Sequence, residues 1–274
     1  MKKFLNLTSV ALLVVMLCTL SGCSATRKIA VIAHAGFWNC EEAGRASNSV
    51  AALAAAQANA FWGCECDVNL TSDDVVVVVH GPKWKDVEIR NNSYAETVRF
   101  LTLKNGETIP SLDQYLDQLE KARTVLVLEL KVQLNEERER IMVDKAIESL
   151  KAHGLYDPRR VIFISFSPYI CKKIAKEHPQ FINQYLNGDL SPAKLHKDGI
   201  NGIDYNYKVL HKHPEWVREA HDLGMNVNVW TIDKEEEIKE MIELGVDHIT
   251  TNEPLLTRAL IKAAKKKELP VPRK

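Results

Sequence analysis

The sequence has no surplus of charge. Its 36 lysines and arginines are balanced by 36 aspartates and glutamates, and no basic block stands out in the body of the chain. Binding to a polyanionic backbone needs such a block, so nucleic acid is not expected as a partner. Cysteine is scarce, with six among 274 residues. Cys64 and Cys66 are spaced like half of a metal knuckle, but no second Cys or His pair stands at a suitable distance. The apolar run Val10–Leu17 is too short and too close to the N-terminus to span a bilayer. No dinucleotide glycine fingerprint follows the first strand-like run, Ile29–Ala33, which argues against an open Rossmann-type sheet.

What is present begins with a leader. Lys2 and Lys3 precede the run Val10–Leu17, and Leu20-Ser21-Gly22-Cys23 then sets small residues before a cysteine. That segment resembles the lipobox of bacterial lipoproteins. The resemblance implies a signal peptide over 1–22, acylation of Cys23 and a tether over 23–28. The chain would then be lipid-anchored to a membrane of the cell envelope, facing the periplasm or the cell exterior. Lys2 and Lys3 are the only charges in the leader, so the remainder has 34 basic and 36 acidic side chains, a formal charge of −2. An exported chain could pair its cysteines. Cys64 and Cys66, two apart on one strand, are poor partners for each other and read as small buried residues.

Short β-rich runs then alternate with helical patterns. The spacing predicts strands over Ile29–Ala33, Phe61–Val68, Thr124–Leu130, Val161–Phe166, Phe181–Leu186, Gly202–Tyr205, Met225–Thr231 and Val246–Thr251. Helices are expected over Ser47–Ala60 with Ser47 as N-cap, from Pro110-Ser111 to about Ala122, and from Asn135 to Gly154. Further helices are expected over Pro168–Glu177, Pro192–Lys197, Pro214–Leu223, Lys234–Leu244 and Leu255–Lys265. Five consecutive valines, Val75–Val79, follow the turn cluster Thr71-Ser72-Asp73-Asp74 and predict a hairpin arm on the second strand. Lys83–Gly106 has no clean period and reads as an insertion, and Lys266–Lys274 as a basic tail. Eight sequential βα units with right-handed crossovers predict an α/β fold, a (β/α)₈ TIM barrel over 29–265 with the arm and small insertion after strand 2.

In such barrels the chemistry sits at the C-terminal ends of the strands. His34 ends the first strand, Glu65 and Asp67 the second, His80 the valine arm, Glu129 the third barrel strand and Trp230 the seventh. Period-2 geometry puts Glu65 and Asp67 on one face, likewise Glu129 and Lys131, with Cys64 and Cys66 on the opposite face. Three carboxylates on apolar strands are costly to bury unpaired, and a divalent metal would relieve that cost. An all-oxygen site suits Ca²⁺ or Mg²⁺. Two histidines beside it suit general acid–base work, Lys131 can neutralise a phosphoryl oxygen, and Trp230 can wall a pocket.

These segments together resemble the glycerophosphodiester phosphodiesterase family: His34-Ala35-Gly36, Glu65-Cys66-Asp67, Val78-Val79-His80-Gly81, Glu129-Leu130-Lys131, Ser165-Phe166, Val229-Trp230-Thr231 and Gly245-Val246-Asp247 through Asn252-Glu253-Pro254, in order. The resemblance implies that Glu65, Asp67 and Glu129 hold the metal, that His34 and His80 are the catalytic acid/base pair, and that Lys131 contacts the phosphate. The substrate would be a small-molecule phosphodiester or lipid head group, hydrolysed to glycerol phosphate and an alcohol, with the substrate's own adjacent hydroxyl as a candidate first nucleophile. A phospholipase-D-like lyase giving a cyclic phosphate, or a catalytically weak ligand-binding barrel, are the alternatives. Four positions depart from the family pattern: Ala35 replaces an arginine, Ala46-Ser47 replaces Pro-Glu before Asn48, and Gly81 replaces an aspartate after His80. Alanine cannot bind phosphate with a guanidinium fork, and Arg45 is the nearby arginine that could substitute.

Overall fold

The structure is a computed structural model that describes residues 28–268, with the side chains of 266–268 left aside. The leader, Cys23 and most of the tail lie outside the described residues. Eight parallel strands form the barrel: β1 (Ala30–Ala33), β2 (Gly63–Leu70), β6 (Val125–Leu130), β7 (Val161–Ser165), β8 (Ile182–Tyr185), β9 (Gly202–Asn206), β10 (Asn226–Trp230) and β11 (His248–Thr251). Each pairs with the next in that order, and β1 closes the ring by pairing with both β2 and β11. All eight expected strands are present.

Helices α1 (Val50–Ala58), α2 (Leu112–Leu119), α3 (Glu136–Ala152), α4 (Pro168–Glu177), α5 (Pro192–Lys197), α6 (Tyr207–Lys212), α7 (Glu215–Asp222), α8 (Glu235–Leu244) and α9 (Pro254–Glu268) form the outer layer. The one-and-a-half-turn α6 was not anticipated, and α9 runs three residues past its expected end. The outward faces of the strands pack on the helices. Cys64, Cys66 and Val68 lie buried with Leu53, Tyr115 and Leu116 in one core cluster. Cys40, Cys64, Cys66 and Cys171 are all free thiols. The barrel interior is split: Ile32, Val125, Val127, Ile162 and Ile164 fill one half. Gln184, Asp204, Asn228 and Thr250, all buried, line the other.

The valine run becomes β3 (Val76–Val78), antiparallel to the end of β2 with Val68 opposite Val78. This pairing lengthens β2 to Leu70, so Glu65 and Asp67 sit inside the strand rather than at its end. The insertion holds a two-stranded ribbon, β4 (Lys83–Trp84) with β5 (Val87–Glu88), and single 3₁₀ turns at Ile89–Asn91 and Val98–Phe100.

The first helix starts two residues later than Ser47 suggested. Asn48 has a left-handed backbone (φ 56°), which no residue of a first helical turn can adopt. Ser49 is the N-cap, and its hydroxyl accepts from the Ala52 amide at 2.9 Å. The turn between β1 and α1 is tight at Gly36 (φ 81°), where a Cβ would stand 2.5 Å from Ala52 Cβ and 2.9 Å from its carbonyl carbon. Gly36→Ala combines left-handed strain with a backbone clash. It is expected to cost at least about 2 kcal/mol in stability, read from the denaturation midpoint. A variant as stable as the parent would mean that the turn is not held this closely.

Candidate active site

β2 and β6 are adjacent in the ring and bring Glu65, Asp67 and Glu129 together, and β1 on the other side of β2 leads into His34. The register sets Asp67 directly opposite Glu129. All three are buried, and one oxygen from each lies within 4.8 Å of the others. A cavity of about 430 Å³ opens above them, walled by His34, His80, Lys131, Phe166, Leu186 and Trp230. Every barrel residue singled out from the sequence therefore faces one cavity, on the side away from Cys64 and Cys66.

Each carboxylate has its own fixed partner. Glu65 Oε2 accepts from the Ala35 amide at 2.6 Å. The position where the family has an arginine thus contributes its backbone here, with Ala35 held in the left-handed region (φ 49°). Asp67 Oδ2 accepts from the Asn48 amide nitrogen at 2.7 Å, while Asn48 Oδ1 accepts from the Asp67 backbone N–H at 3.0 Å. Lys131 Nζ lies 2.8 Å from Asp67 Oδ1 and 2.7 Å from Glu129 Oε1. Arg45 does not replace the missing guanidinium: it is exposed, and its Nη1 donates to Asn39 Oδ1 at 2.9 Å.

Fully ionised, three carboxylates against one ammonium would leave the cluster two negative charges in excess, and the protonation equilibria oppose it. Burial, then the charges of Asp67 and Glu129, raise Glu65 well above the ordinary carboxylate range. Burial and Asp67 push Glu129 up to about 8 against the pull of Lys131. For Asp67 burial acts upward too, but Lys131, His80 and the Asn48 hydrogen bond outweigh it and lower the group. The charge deficit, the short oxygen–oxygen distances and the hard-donor set all fit one divalent metal ion.

His34 and His80 differ in how they are held. Asn252 Nδ2 donates to Asp233 Oδ2 at 2.8 Å and the Trp38 indole N–H donates to Asn252 Oδ1 at 2.9 Å, so the amide's orientation is fixed. His34 Nδ1, 2.9 Å from that same oxygen, must be the protonated nitrogen. Nε2 is left with its lone pair toward the cavity, 4.0 Å from Glu65 Oε2. His80 is exposed at the rim of the cavity. Desolvation of its ring lowers its pKa, with Asp67 opposing and Lys131 and His34 reinforcing the shift.

Asp204 escaped notice in the sequence. It lies 1% exposed in the cavity lining on β9, and its Oδ1 has no hydrogen-bond partner among the described residues. Burial and the charge of Glu129 raise it well above the usual range. The signal was available: an acid inside the apolar run Ile203-Asp204-Tyr205 is the same anomaly that flagged Glu129. Trp230 caps this corner, its indole N–H donating to the Asp204 carbonyl at 2.8 Å and its ring meeting Phe166 edge-on at 5.6 Å.

Fold and cavity together define a (β/α)₈ barrel with an acidic mouth flanked by imidazoles. Sequence comparison gives the family. The Glycerophosphoryl diester phosphodiesterase family matches residues 40–256, and the chain belongs to it. It is a phosphoric diester hydrolase, and the family's reaction is the hydrolysis of glycerophosphodiesters. A glycerophosphodiester phosphodiesterase from Parabacteroides distasonis ATCC 8503 is 38% identical and superposes with a TM-score of 0.84, covering 88% of this chain and 99% of that one. The glycerophosphodiester phosphodiesterase of Caldanaerobacter subterraneus subsp. tengcongensis is 26% identical over 83% of this chain and 95% of its own. A phosphodiesterase from Oleispira antarctica, solved with its product sn-glycerol-3-phosphate, shares the fold with a TM-score of 0.71 and 22% identity, over 86% of this chain and 97% of that one.

The electrostatics carry a sign that can be measured. Glu129 holds its proton to about pH 8 in the folded chain but loses it near 4.5 when unfolded. The folded state therefore binds more protons across that window, and stability falls as pH rises from 5 to 8. Thermal melting of the metal-free protein should show this fall, Glu129→Gln should flatten it, and Ca²⁺ or Mg²⁺ should raise the Tm more at pH 8 than at pH 5. An unchanged slope in Glu129→Gln would refute this account of the cluster.

Proposed function

We propose that the chain hydrolyses glycerophosphodiesters to glycerol phosphate and an alcohol, with Glu65, Asp67 and Glu129 holding Ca²⁺ or Mg²⁺ and with His34 and His80 transferring protons. The observation that carries this reading is the cluster of three buried carboxylates facing an imidazole whose free nitrogen points into the same cavity. A divalent cation, when bound, supplies Lewis-acid polarisation of the phosphoryl group. His34 Nε2 accepts the proton of the attacking hydroxyl, either a water or the substrate's own neighbouring hydroxyl; in the second case a water then opens the cyclic phosphate to glycerol phosphate. His80 returns a proton to the oxygen of the departing alcohol as the phosphorus–oxygen bond breaks. Lys131 adds positive charge beside the phosphoryl oxygens, and Trp230 with Phe166 packs against the carbon skeleton. The glycerol phosphate seen in the Oleispira antarctica relative supports that product class.

The leader belongs to the same reading: acylation at Cys23 would hold the enzyme to a membrane of the cell envelope. No helix among the described residues is long and apolar enough to cross one.

Phosphorus NMR of purified protein with glycerophosphocholine is expected to show glycerol phosphate in the presence of Mg²⁺ or Ca²⁺ and no turnover after EDTA treatment. Accumulation of a cyclic phosphate would instead make the enzyme a lyase, and metal-independent turnover would overturn the ligand assignment. His34→Ala and His80→Ala should each lower kcat by about 10²-fold or more. Asn252→Ala frees the His34 ring to change tautomer. It should reduce kcat about tenfold or more while leaving KM nearly unchanged. A parental kcat in Asn252→Ala would mean that the amide does not orient the base.

A further inference from the structure

A second cavity, of about 560 Å³, lies at the opposite end of the barrel, where the strands begin. Lys28, Arg258, Lys262 and Lys265 line it, together with Trp62 and His248, and no carboxylate does. Lys28, Lys262 and Lys265 make no ion pair among the described residues. Arg258 is held across the cavity by a 2.7 Å hydrogen bond from Nη1 to the Asn59 carbonyl and by stacking 4.8 Å over Phe61, with the rest of its fork open.

Trp62 is the second anomaly. It is 40% exposed, yet its ring is not loose: it stacks on His248 at 4.6 Å with the planes 21° apart. His248 is buried, and its Nδ1 has no partner among the described residues. An indole held rigidly at the surface among unpaired cations is the composition of a membrane-interface contact. The chain path selects the occupant. Lys28 is the first described residue and lies on this rim, so the preceding segment enters here. Four residues, Ser24 to Arg27, separate Lys28 from Cys23, and the five steps between them span at most about 17 Å when fully extended. Helix α9 also delivers Lys262 and Lys265 to this end, just before Lys266 and Lys267 in the sequence.

We propose that this N-terminal face is a docking surface for the anionic phospholipid head groups of a membrane, which turns the catalytic mouth away from the bilayer. The two openings lie at opposite ends of the strands, and a six-residue strand such as β6 is about 20 Å long. A docked barrel therefore receives its diester from solution. That clause rests on the phosphodiesterase reading, and the choice of a membrane as occupant rests on the proposed acylation of Cys23.

The test compares the full chain with its Lys262→Glu/Lys265→Glu variant on phosphatidylcholine vesicles with and without phosphatidylglycerol. Both proteins share the leader and any anchor, so only the increment due to anionic lipid is read. Phosphatidylglycerol should raise the vesicle-bound fraction of the parent. Salt should remove that rise, and the double reversal should cut it about tenfold or more. Brominated acyl chains should quench the parent's fluorescence more than that of Trp62→Phe. Hydrolysis of soluble glycerophosphocholine and the Tm should be unchanged in the double variant. Equal binding to both vesicle types, a double variant that binds like the parent, or displacement from vesicles by millimolar inorganic phosphate would each overturn the proposal. The last of these would make the cavity a small-anion site. Loss of turnover with docking intact would count against the catalytic reading alone.

Discussion

The mutual repulsion of three carboxylates, buried within a few ångströms of one another, is the constraint around which the mouth of this barrel is built. Burying one such charge is expensive, and burying three against a single ammonium would open a less rigid frame. The barrel resists because the groups are rooted in adjacent strands of one closed sheet, where neither Asp67 nor Glu129 can retreat without breaking the β2–β6 ladder. Local donors then fix each oxygen: the Ala35 amide on Glu65, Asn48 on Asp67 and Lys131 on the pair Asp67 and Glu129. The left-handed backbones of Ala35 and Asn48 aim the first two of these donors. Strain of this kind persists only where the surroundings over-determine it, and here it coincides with the cavity.

The same economy extends to the imidazole of His34. A histidine near a charged cluster could adopt either neutral tautomer, and only one leaves a basic nitrogen toward the cavity. The choice is made three residues deep, from Asp233 through Asn252 to the ring, with Trp38 closing off the other amide orientation. The group that touches the ring is neutral, because Asn252 accepts a hydrogen bond without carrying a carboxylate, and the charge of Asp233 stands one residue further back. Asp204 follows another rule. It sits on the polar half of the interior, where burial and Glu129 favour its neutral form, so a fourth acid adds little to the repulsion.

Most of this was legible in the residues. Hydrophobic runs of strand length, separated by capped helical patterns, give all eight barrel strands, because each strand is buried on both faces and its side chains report that directly. Glu65, Asp67 and Glu129 stood out because acids are rare in such runs. The misses have physical causes. Ser47 looked like the cap because pattern reading does not see that Asn48 is drawn toward Asp67, which pushes the helix start back to Ser49. The full length of β2 was hidden because its last residues are strand only by virtue of the valine arm that pairs with them. Arg45 seemed a substitute for the absent guanidinium on proximity in sequence, but the turn at Gly44 and Arg45 turns it out to Asn39. Asn252 and the cationic floor of the barrel depend on residues that meet from opposite ends of the chain, and no local spacing encodes that.

The valine arm gives the fold a separable periphery. The Val79 amide donates to the Asp67 carbonyl at 2.9 Å, and Asn69 Nδ2 donates to the carbonyls of Val79 and Gly81 at 2.9 and 3.2 Å. The backbone on both sides of His80 is thereby stitched to the strand that bears two of the acids, and only beyond that seam does the irregular segment from Lys83 onward begin. Descendants of such a chain can lengthen, shorten or redecorate that segment, and with it the rim that incoming molecules meet first, without displacing an imidazole.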